Sequence, residues 1–195
     1  MPRMSQRLVV GISGASAPHY GVRLLEVLRA HCPDVETHLV LSRGARRTIA
    51  LETDRDPDEV LALAGHVHAD DDLAAPISSG SFPTMGMVVA PCSIKTLSSI
   101  AGSHNDNLLT RAADVCLKER RRLVLAVRET PLHLGHLRLM TQVAEVGAVI
   151  LPPVPAFYHR PTSIEHLIDH AVLKMLDQFG IQLDLVPRWT GRTPE

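Results

Sequence analysis

The stretch that decides the fold is Leu8-Val9-Val10-Gly11-Ile12, followed at once by Ser13-Gly14-Ala15-Ser16. A short, β-branched apolar run that ends in glycine-rich sequence predicts a buried strand and a tight turn. Pro18 then suits the first turn of a helix, and apolar residues recur behind it at helical spacing. The sequence therefore predicts a strand, a turn and a helix that runs to about Ala30.

Four further apolar runs predict strands, and helical patterns lie between them. We expect the strands at Glu36–Leu41, Met87–Ala90, Leu123–Val127 and Ala148–Leu151, and the helices at Pro57–Ala64, Ile94–Ala101, Asn107–Arg120 and His136–Val146. Near-continuous apolar strands are typical of parallel sheets that helices cover on both faces. We therefore predict an α/β fold in three layers with a mostly parallel sheet.

The last helix carries the clearest boundary signals. Thr162 and Glu165 predict a capping box, an apolar face continues to Phe179, and Gly180 ends the helix. Residues 70–84 are interpreted as a mobile loop. The length of 195 residues suits one domain over residues 1–195, with tails at 1–6 and 190–195.

Composition limits the classes of function. The net charge of -1 gives no bulk attraction to nucleic acid or to acidic membranes. The three cysteines lack CxxC spacing, which favours a reducing compartment. The polar start does not resemble a signal peptide, and no run approaches about 18 apolar residues. We therefore expect a cytoplasmic protein that binds a small molecule, without nucleic acid or membrane.

Polar or turn-forming residues follow every predicted strand. Open α/β sheets bind their ligands just beyond the carboxyl ends of their strands, which is where these residues lie. They are Gly11–Ser16, Ser42, Pro91–Thr96, Arg128–Pro131 and Pro152–Tyr158. The first turn offers glycines, a hydroxyl and a helix N-terminus, which favour a phosphate, although a plain βα turn stays possible. A dinucleotide site would place an acid where Ser42 stands. The pattern therefore favours a mononucleotide.

The segment after the third strand has two interpretations. Ser93 and Thr96 can cap the next helix, or they can bond to a ligand ring or phosphate. Cys92 is expected to be a packed thiol, because no base stands near it in the sequence. His66-Val67-His68 lies beside a loop without a partner cluster, so we expect no metal.

Several cations are candidates for a second anion site. Arg111 and Lys118 would lie on one helix face about 10 Å apart. Asp114 stands between them, so a solvated ion-pair stripe is the alternative. Arg128-Glu129 ends a strand expected to be buried, where an ion pair is costly unless it serves a ligand. This dyad is the strongest catalytic candidate from spacing alone.

Three residues near the end of the chain are also candidates. Lys174 lies at the edge of the last helix's apolar face, from which it can snorkel or point into a cleft. Tyr158 and Trp189 lie in loop-like segments of a chain with only 3% aromatic residues. Either can belong to the core, but an exposed aromatic face there can stabilise a cation.

Taken in order along the chain, these motifs resemble the UbiX/Pad1 family of flavin prenyltransferases. The resemblance runs from about Leu8 to Trp189 and is carried by Gly14-Ala15-Ser16, Ser79-Gly80-Ser81-Phe82, Pro91-Cys92-Ser93-Ile94-Lys95-Thr96-Leu97, Arg111-Ala112-Ala113-Asp114-Val115, Leu117-Lys118-Glu119-Arg120, Arg128-Glu129-Thr130-Pro131-Leu132, Pro152-Pro153-Val154-Pro155-Ala156-Phe157-Tyr158 and Leu176-Asp177-Gln178. Each motif alone is weak, whereas the ordered set is specific.

The resemblance implies a Rossmann-like or flavodoxin-like subunit of a large homo-oligomer, typically a dodecamer with sites shared between subunits. It implies FMN-binding residues Gly14, Ala15, Ser16, Ser42, Ser93, Ile94, Lys95, Thr96 and Arg128. It implies prenyl-phosphate-binding residues Tyr158, Lys174, Arg128 and Glu129, with Arg111 and Lys118 from a neighbouring subunit. Catalysis would involve Ser16, Glu129, Arg128, Lys118 and Trp189.

The implied reaction joins a dimethylallyl group from dimethylallyl phosphate to reduced FMN at N5 and C6, without a metal. The product, prenylated FMN, would serve a UbiD-type decarboxylase of aromatic acids. Two positions depart from the family pattern: Ala17, followed by Pro18, replaces a usual glycine, and Lys174 stands where arginine is common. The alternatives are an FMN-dependent decarboxylase of the cysteine-decarboxylase type and a non-catalytic flavin-binding accessory subunit.

Overall fold

A single six-stranded sheet organises the chain in the computed structural model, which describes residues 6–191. The strands are β1 Arg7–Ile12, β2 Glu36–Leu41, β3 His66–His68, β4 Gly86–Cys92, β5 Arg122–Val127 and β6 Val149–Ile150. Their spatial order is β3-β2-β1-β4-β5-β6, and every neighbouring pair is parallel. The predicted α/β fold is confirmed, and the sheet is parallel throughout.

The described part of the chain contains seven α-helices. They are α1 His19–His31, α2 Arg43–Glu52, α3 Pro57–Leu61, α4 Ile94–Ala101, α5 Leu108–Lys118, α6 Leu134–Glu145 and α7 Ile164–Asp177. No helix within residues 6–191 is long and apolar enough to cross a membrane.

Two apolar layers enclose the sheet because alternate residues of each strand face opposite sides. On β1, Leu8 and Val10 face the layer that contains α1 and α7, whereas Val9 faces the layer that contains α4, α5 and α6. The glycine at 21 lets α1 lie directly on the sheet, since a Cβ there would stand 2.2 Å from the Ala90 carbonyl oxygen. This close packing places the N-terminus of α1 at the carboxyl edge of β1 and β4.

One α-helix and one strand were missing from the sequence-based prediction, and several boundaries moved. Helix α2 was missed because only Ala45 and Ile49 are buried on it, so its apolar face is narrow. Strand β3 was missed because it is three residues long and mostly polar. The fifth predicted strand is reduced to Val149–Ile150, and the other boundaries differ by a few residues at most.

The predicted capping box of α7 is wrong. Ser163, rather than Thr162, occupies the N-cap position and accepts a hydrogen bond from the amide of His166. The helix ends at Asp177, and Gly180 follows it with a positive φ of 72°. Within residues 70–84, Ala75 and Ile77 are buried against the α5 side of the sheet, so this segment is an anchored loop. Most of the two proposed tails lies outside the described residues.

Candidate active site

The strand order reverses between β1 and β4, which is where α/β sheets of this topology bind nucleotides. Ser13 joins the two strand ends there. Its buried hydroxyl donates to the Pro91 carbonyl at 2.9 Å and accepts from the Ser93 amide at 2.8 Å. This bridge fixes the position of the first turn relative to the N-terminus of α4.

Three helix N-termini meet the carboxyl edge of the sheet at this point. Ser42 caps α2 by accepting from the Ala45 amide at 3.1 Å, and Ser93 caps α4 by accepting from the Thr96 amide at 3.2 Å. Helix α1 begins just after the first turn. Because helix N-termini favour negative charge, the edge suits an anion.

The first turn is built for close backbone approach. A Cβ at Gly14 would stand 2.8 Å from the Cα of Gly44, so the turn packs directly against the start of α2. Within residues 6–191, the amides of Gly14 and Ser16 have no hydrogen-bond partner. Unpaired amides beside three helix N-termini fit the phosphate end of FMN.

Glu52, the last residue of α2, reaches the same turn. Its Oε2 accepts from the hydroxyl of Ser16 at 3.0 Å and from the amide of Ala17 at 2.7 Å. Ala17 has a φ of 65°, a left-handed conformation that glycine adopts more easily. The Glu52 carboxylate therefore holds the strained Ala17 in place. It also lies beside the hydroxyl of Ser16, the residue that was predicted to assist proton transfer.

The sequence analysis missed Glu52 because it missed the helix that carries it. Ser42 as an N-cap, with Ala45 and Ile49 one helical turn apart, is the signal that could have revealed α2. Even then, only the folded chain shows that the end of α2 returns to Ser16.

Arg128 and Glu129 follow β5 at the same edge, as predicted. The Arg128 amide donates to the Cys92 carbonyl at 3.1 Å, which places the dyad beside the end of β4. Arg128 is half-buried, Glu129 is exposed, and these two residues form no ion pair with each other. Glu129 instead accepts from the Thr130 amide at 3.0 Å, so both charges are free to meet a ligand.

The segment that starts α4 shows the first of the two earlier interpretations, the helix cap. Ser93 is the cap, and its hydroxyl also contacts the Thr96 hydroxyl at 3.1 Å. Ile94 is half-buried and Lys95 is exposed, so both remain available at the cleft. Cys92 is fully buried, and burial raises the pKa of its thiol to about 12. It is a packed thiol, as predicted.

Tyr158, Trp189 and Lys174 form a second group around the C-terminal half of α7. The Tyr158 hydroxyl bonds to His170 Nε2 at 3.0 Å, and its ring meets Trp189 edge-on with the centroids 5.9 Å apart. The Lys174 ammonium lies 3.4 Å from the Asp177 carboxylate, which also forms an ion pair with Arg188 at 2.8 Å. Tyr158 is 46% exposed and Trp189 is 65% exposed.

The Asp177–Arg188 pair explains how the exposed Trp189 is positioned. Hydrogen bonding from Arg188 lowers the pKa of Asp177, so the carboxylate stays charged. Its two hydrogen bonds with Arg188 anchor the segment that also carries Trp189, the next residue. Sequence analysis gave Asp177 only as part of a motif and did not select Arg188 or His170.

Arg111 and Lys118 form a third group with the loop of Ser78–Ser81. They line a cavity of about 420 Å³ together with that loop. Arg111 pairs with Asp114 at 3.0 Å, as the ion-pair alternative expected, but Lys118 contacts Glu119 instead. Lys118 lies at the C-terminal end of α5, just before β5 begins, and therefore at the amino edge of the sheet. A strand of six residues spans about 20 Å, so this lysine cannot reach Arg128 of its own chain.

Taken together, the fold and the carboxyl-edge cleft define an α/β flavoprotein that binds a mononucleotide. Residues 2–172 match the family model described as Flavoprotein. The chain is 66% identical over 188 residues to the flavin prenyltransferase UbiX of Escherichia coli strain K12, covering 95% of this chain and 99% of the relative. It is 60% identical to that of Thauera aromatica, covering 95% and 94%. The chain belongs to the UbiX family of flavin prenyltransferases.

Solved structures agree with this assignment. A crystal structure of AnUbiX (PadA1) in complex with FMN and dimethylallyl pyrophosphate matches with a TM-score of 0.94 and 52% identity, covering 96% of this chain and 99% of that one. A dodecameric FMN-dependent UbiX-like decarboxylase from Escherichia coli O157:H7 matches with a TM-score of 0.93 and 48% identity, covering 95% and 100%. The cysteine decarboxylase SpaF, at 18% identity and a TM-score of 0.63, shares the fold alone.

Proposed function

We propose that this protein transfers a dimethylallyl group from dimethylallyl phosphate to reduced FMN, forming bonds at N5 and C6, and that the prenylated FMN serves a UbiD-type decarboxylase. The observation that carries the proposal is the Ser16–Glu52 pair beside the unpaired turn amides at the β1–β4 edge. It combines an anion-binding turn with a hydroxyl and a carboxylate that can move a proton. The membership of the UbiX family supports the same reaction.

The residues of the cleft would hold FMN from three sides. The turn from Gly14 to Ser16 and the capped N-termini at Ser42 and Ser93 supply amides and hydroxyls, and Ile94–Thr96 and Arg128 complete the set. When bound in its reduced form, the flavin supplies the electron-rich N5 and C6 positions that accept the allyl group. The contribution of the protein is orientation, since holding two reactants together removes much of the entropic cost of their reaction.

Cations would stabilise the phosphate as the allylic carbon–oxygen bond breaks. Arg128 and Lys174 of one chain, with Tyr158 as a hydrogen-bond donor, face a leaving group that gains negative charge. Because Lys174 is a point charge, its contact with phosphate would be monodentate. Tyr158 and Trp189 present exposed aromatic faces that can shelter an allylic cation from water.

Proton transfers would run through two carboxylates. Glu52 can take the proton of the Ser16 hydroxyl, to which it is already hydrogen-bonded, and return it. Glu129 is exposed beside Arg128 and can receive or donate a proton at the phosphate. No metal is part of this proposal.

We further propose that the active site is shared between subunits of a dodecamer, as in the dodecameric relative. Lys118 lies at the amino edge of its own sheet and Arg128 lies at the carboxyl edge. Lys118 can therefore serve only the site of a neighbouring chain, and we place Arg111, which lines the same cavity, with it. Such an assembly would work in the cytoplasm, where the three free cysteines stay reduced.

Mixed oligomers test the shared site. Co-expressed Lys118→Ala and Tyr158→Ala chains are each expected to be inactive alone, whereas random mixing restores about a quarter of the sites when each site takes one residue from each of two chains. Activity per site is measured after purification of the mixed oligomer through two different tags. Activity no higher than that of either pure variant would contradict the shared arrangement.

Anaerobic incubation with reduced FMN and dimethylallyl phosphate tests the reaction itself. Mass spectrometry of the extracted flavin is expected to show one added dimethylallyl group. An unmodified flavin would leave the protein as a flavin carrier. The decarboxylase alternative has less support, because that type carries Pro-Ala-Ser-Ala-Asn-Thr where this chain has Pro91–Thr96, without the asparagine. Release of carbon dioxide from a cysteine-ending peptide under oxidised FMN would favour it.

A further inference from the structure

A histidine cluster at the opposite edge of the sheet remains outside the reaction proposed above. Glu36 begins β2 and His66 begins β3, so both lie at the amino edge, away from the FMN cleft. His38 faces His66 directly across the β2–β3 ladder. Sequence analysis dismissed His66-Val67-His68 for want of a partner cluster, and the folded chain supplies that cluster from β2.

Side-chain geometry brings three ligand atoms together. Glu36 Oε1 lies 3.2 Å from His38 Nε2 and 2.9 Å from His66 Nε2. One ligand atom from each of the three residues lies within 4.8 Å of the other two. In a tetrahedral zinc site with bonds of about 2.0–2.1 Å, ligand atoms stand about 3.3 Å apart. Two of the three separations are thus already near the spacing of a metal site.

Neighbouring groups orient these ligands. His38 Nδ1 lies 3.0 Å from His68 Nε2, so the tautomer that would bind an ion through Nε2 can donate its Nδ1 proton to His68. Arg7 binds the other carboxylate oxygen of Glu36 at 3.1 Å and leaves Oε1 to the histidines. Both features are the supporting bonds that protein metal sites use to fix a ligand's direction.

We propose that Glu36, His38 and His66 bind a divalent zinc-class ion, with water in the fourth position and His68 supporting His38 from behind. Two imidazoles and one carboxylate are a donor set that suits Zn²⁺, and half-exposed His66 leaves a path for the ion and a place for water. The ion replaces the two N–H bonds that Glu36 Oε1 otherwise accepts. It ties the three-residue edge strand β3 to β2, so its role is structural and separate from prenylation.

Zinc titration of the untagged, EDTA-treated full chain tests this site. Calorimetry is expected to give one Zn²⁺ per chain, and Zn²⁺ is expected to raise the melting temperature. His66→Val and Glu36→Gln should each weaken binding at least tenfold, whereas His31→Ala, at an exposed histidine on α1, should bind like the parent chain. Prenylation by His66→Val should equal that of the parent, because the site lies at the other edge of the sheet.

The proposal fails if the parent chain binds no Zn²⁺ or if His66→Val binds as tightly as the parent. It also fails if His170→Gln removes the binding while His66→Val keeps it, because the ion would then lie at the Tyr158–His170 contact. Substitution with Co²⁺ gives a second readout, because tetrahedral coordination is expected to give intense visible absorption. This absorption should be lost in His66→Val. Because the side chain of His66 is half-exposed, the substitution should disturb little of the packing.

Discussion

Replacing Glu52 by glutamine is expected to slow flavin prenylation by about 100-fold or more while FMN remains bound, because positioned acid–base groups contribute about 10²–10⁴ to rate. Glutamine has the size of glutamate and keeps one oxygen that can accept from Ser16 and from the Ala17 amide. It cannot take up a proton at that oxygen near neutral pH. The substitution therefore removes the proton transfer and retains most of the turn.

Rates come from single-turnover prenylation under anaerobic conditions, and FMN affinity is measured separately by flavin fluorescence. Glu145→Gln is the matched control, since this exposed carboxylate ends α6 at the amino edge of the sheet and should leave the rate unchanged. Full turnover by Glu52→Gln would remove Glu52 from the mechanism. A loss confined to FMN affinity would assign it the task of holding Ala17 alone.

Glu129→Gln is the second substitution expected to have a large effect, again about 100-fold or more on the chemical step. Glu129 is exposed beside Arg128, and within residues 6–191 it accepts a hydrogen bond only from the Thr130 amide, which the glutamine oxygen can also accept. The local backbone should therefore stay in place, and FMN should still bind. What is lost is a carboxylate next to the departing phosphate.

Two measurements separate this role from simple binding. If Glu129 moves a proton, the rate at saturating dimethylallyl phosphate falls; if it only helps to place the phosphate, the apparent affinity falls and the maximal rate survives. Unchanged turnover at every substrate concentration would show that Glu129 has neither role. The double variant with Glu52→Gln indicates whether the two carboxylates act in one step, because effects on a shared step do not add.

The architecture could be inferred from local sequence because each strong element carries its own signal. β1, its turn and α1 combine an apolar run, glycines and Pro18, and the structure confirms all three. Helix α2 was not predicted because its buried face is narrow, and strand β3 was not predicted because it is short and polar. Both elements depend on tertiary contacts more than on periodicity. The N-cap of α7 was misplaced by one residue because Thr162 and Ser163 are both residue types that favour this position.

The sequence by itself determined five of the six strands, the polar residues at their carboxyl ends and the family motifs, because strand propensity and turn chemistry act over a few residues. Only the tertiary structure decided which side chains meet. Ser16 and Glu52 are 36 positions apart, and His38 reaches His68 across 30. It also placed Lys118 at the edge opposite Arg128. Such contacts depend on strand order and helix direction, which are set when the whole chain packs and which no local pattern encodes.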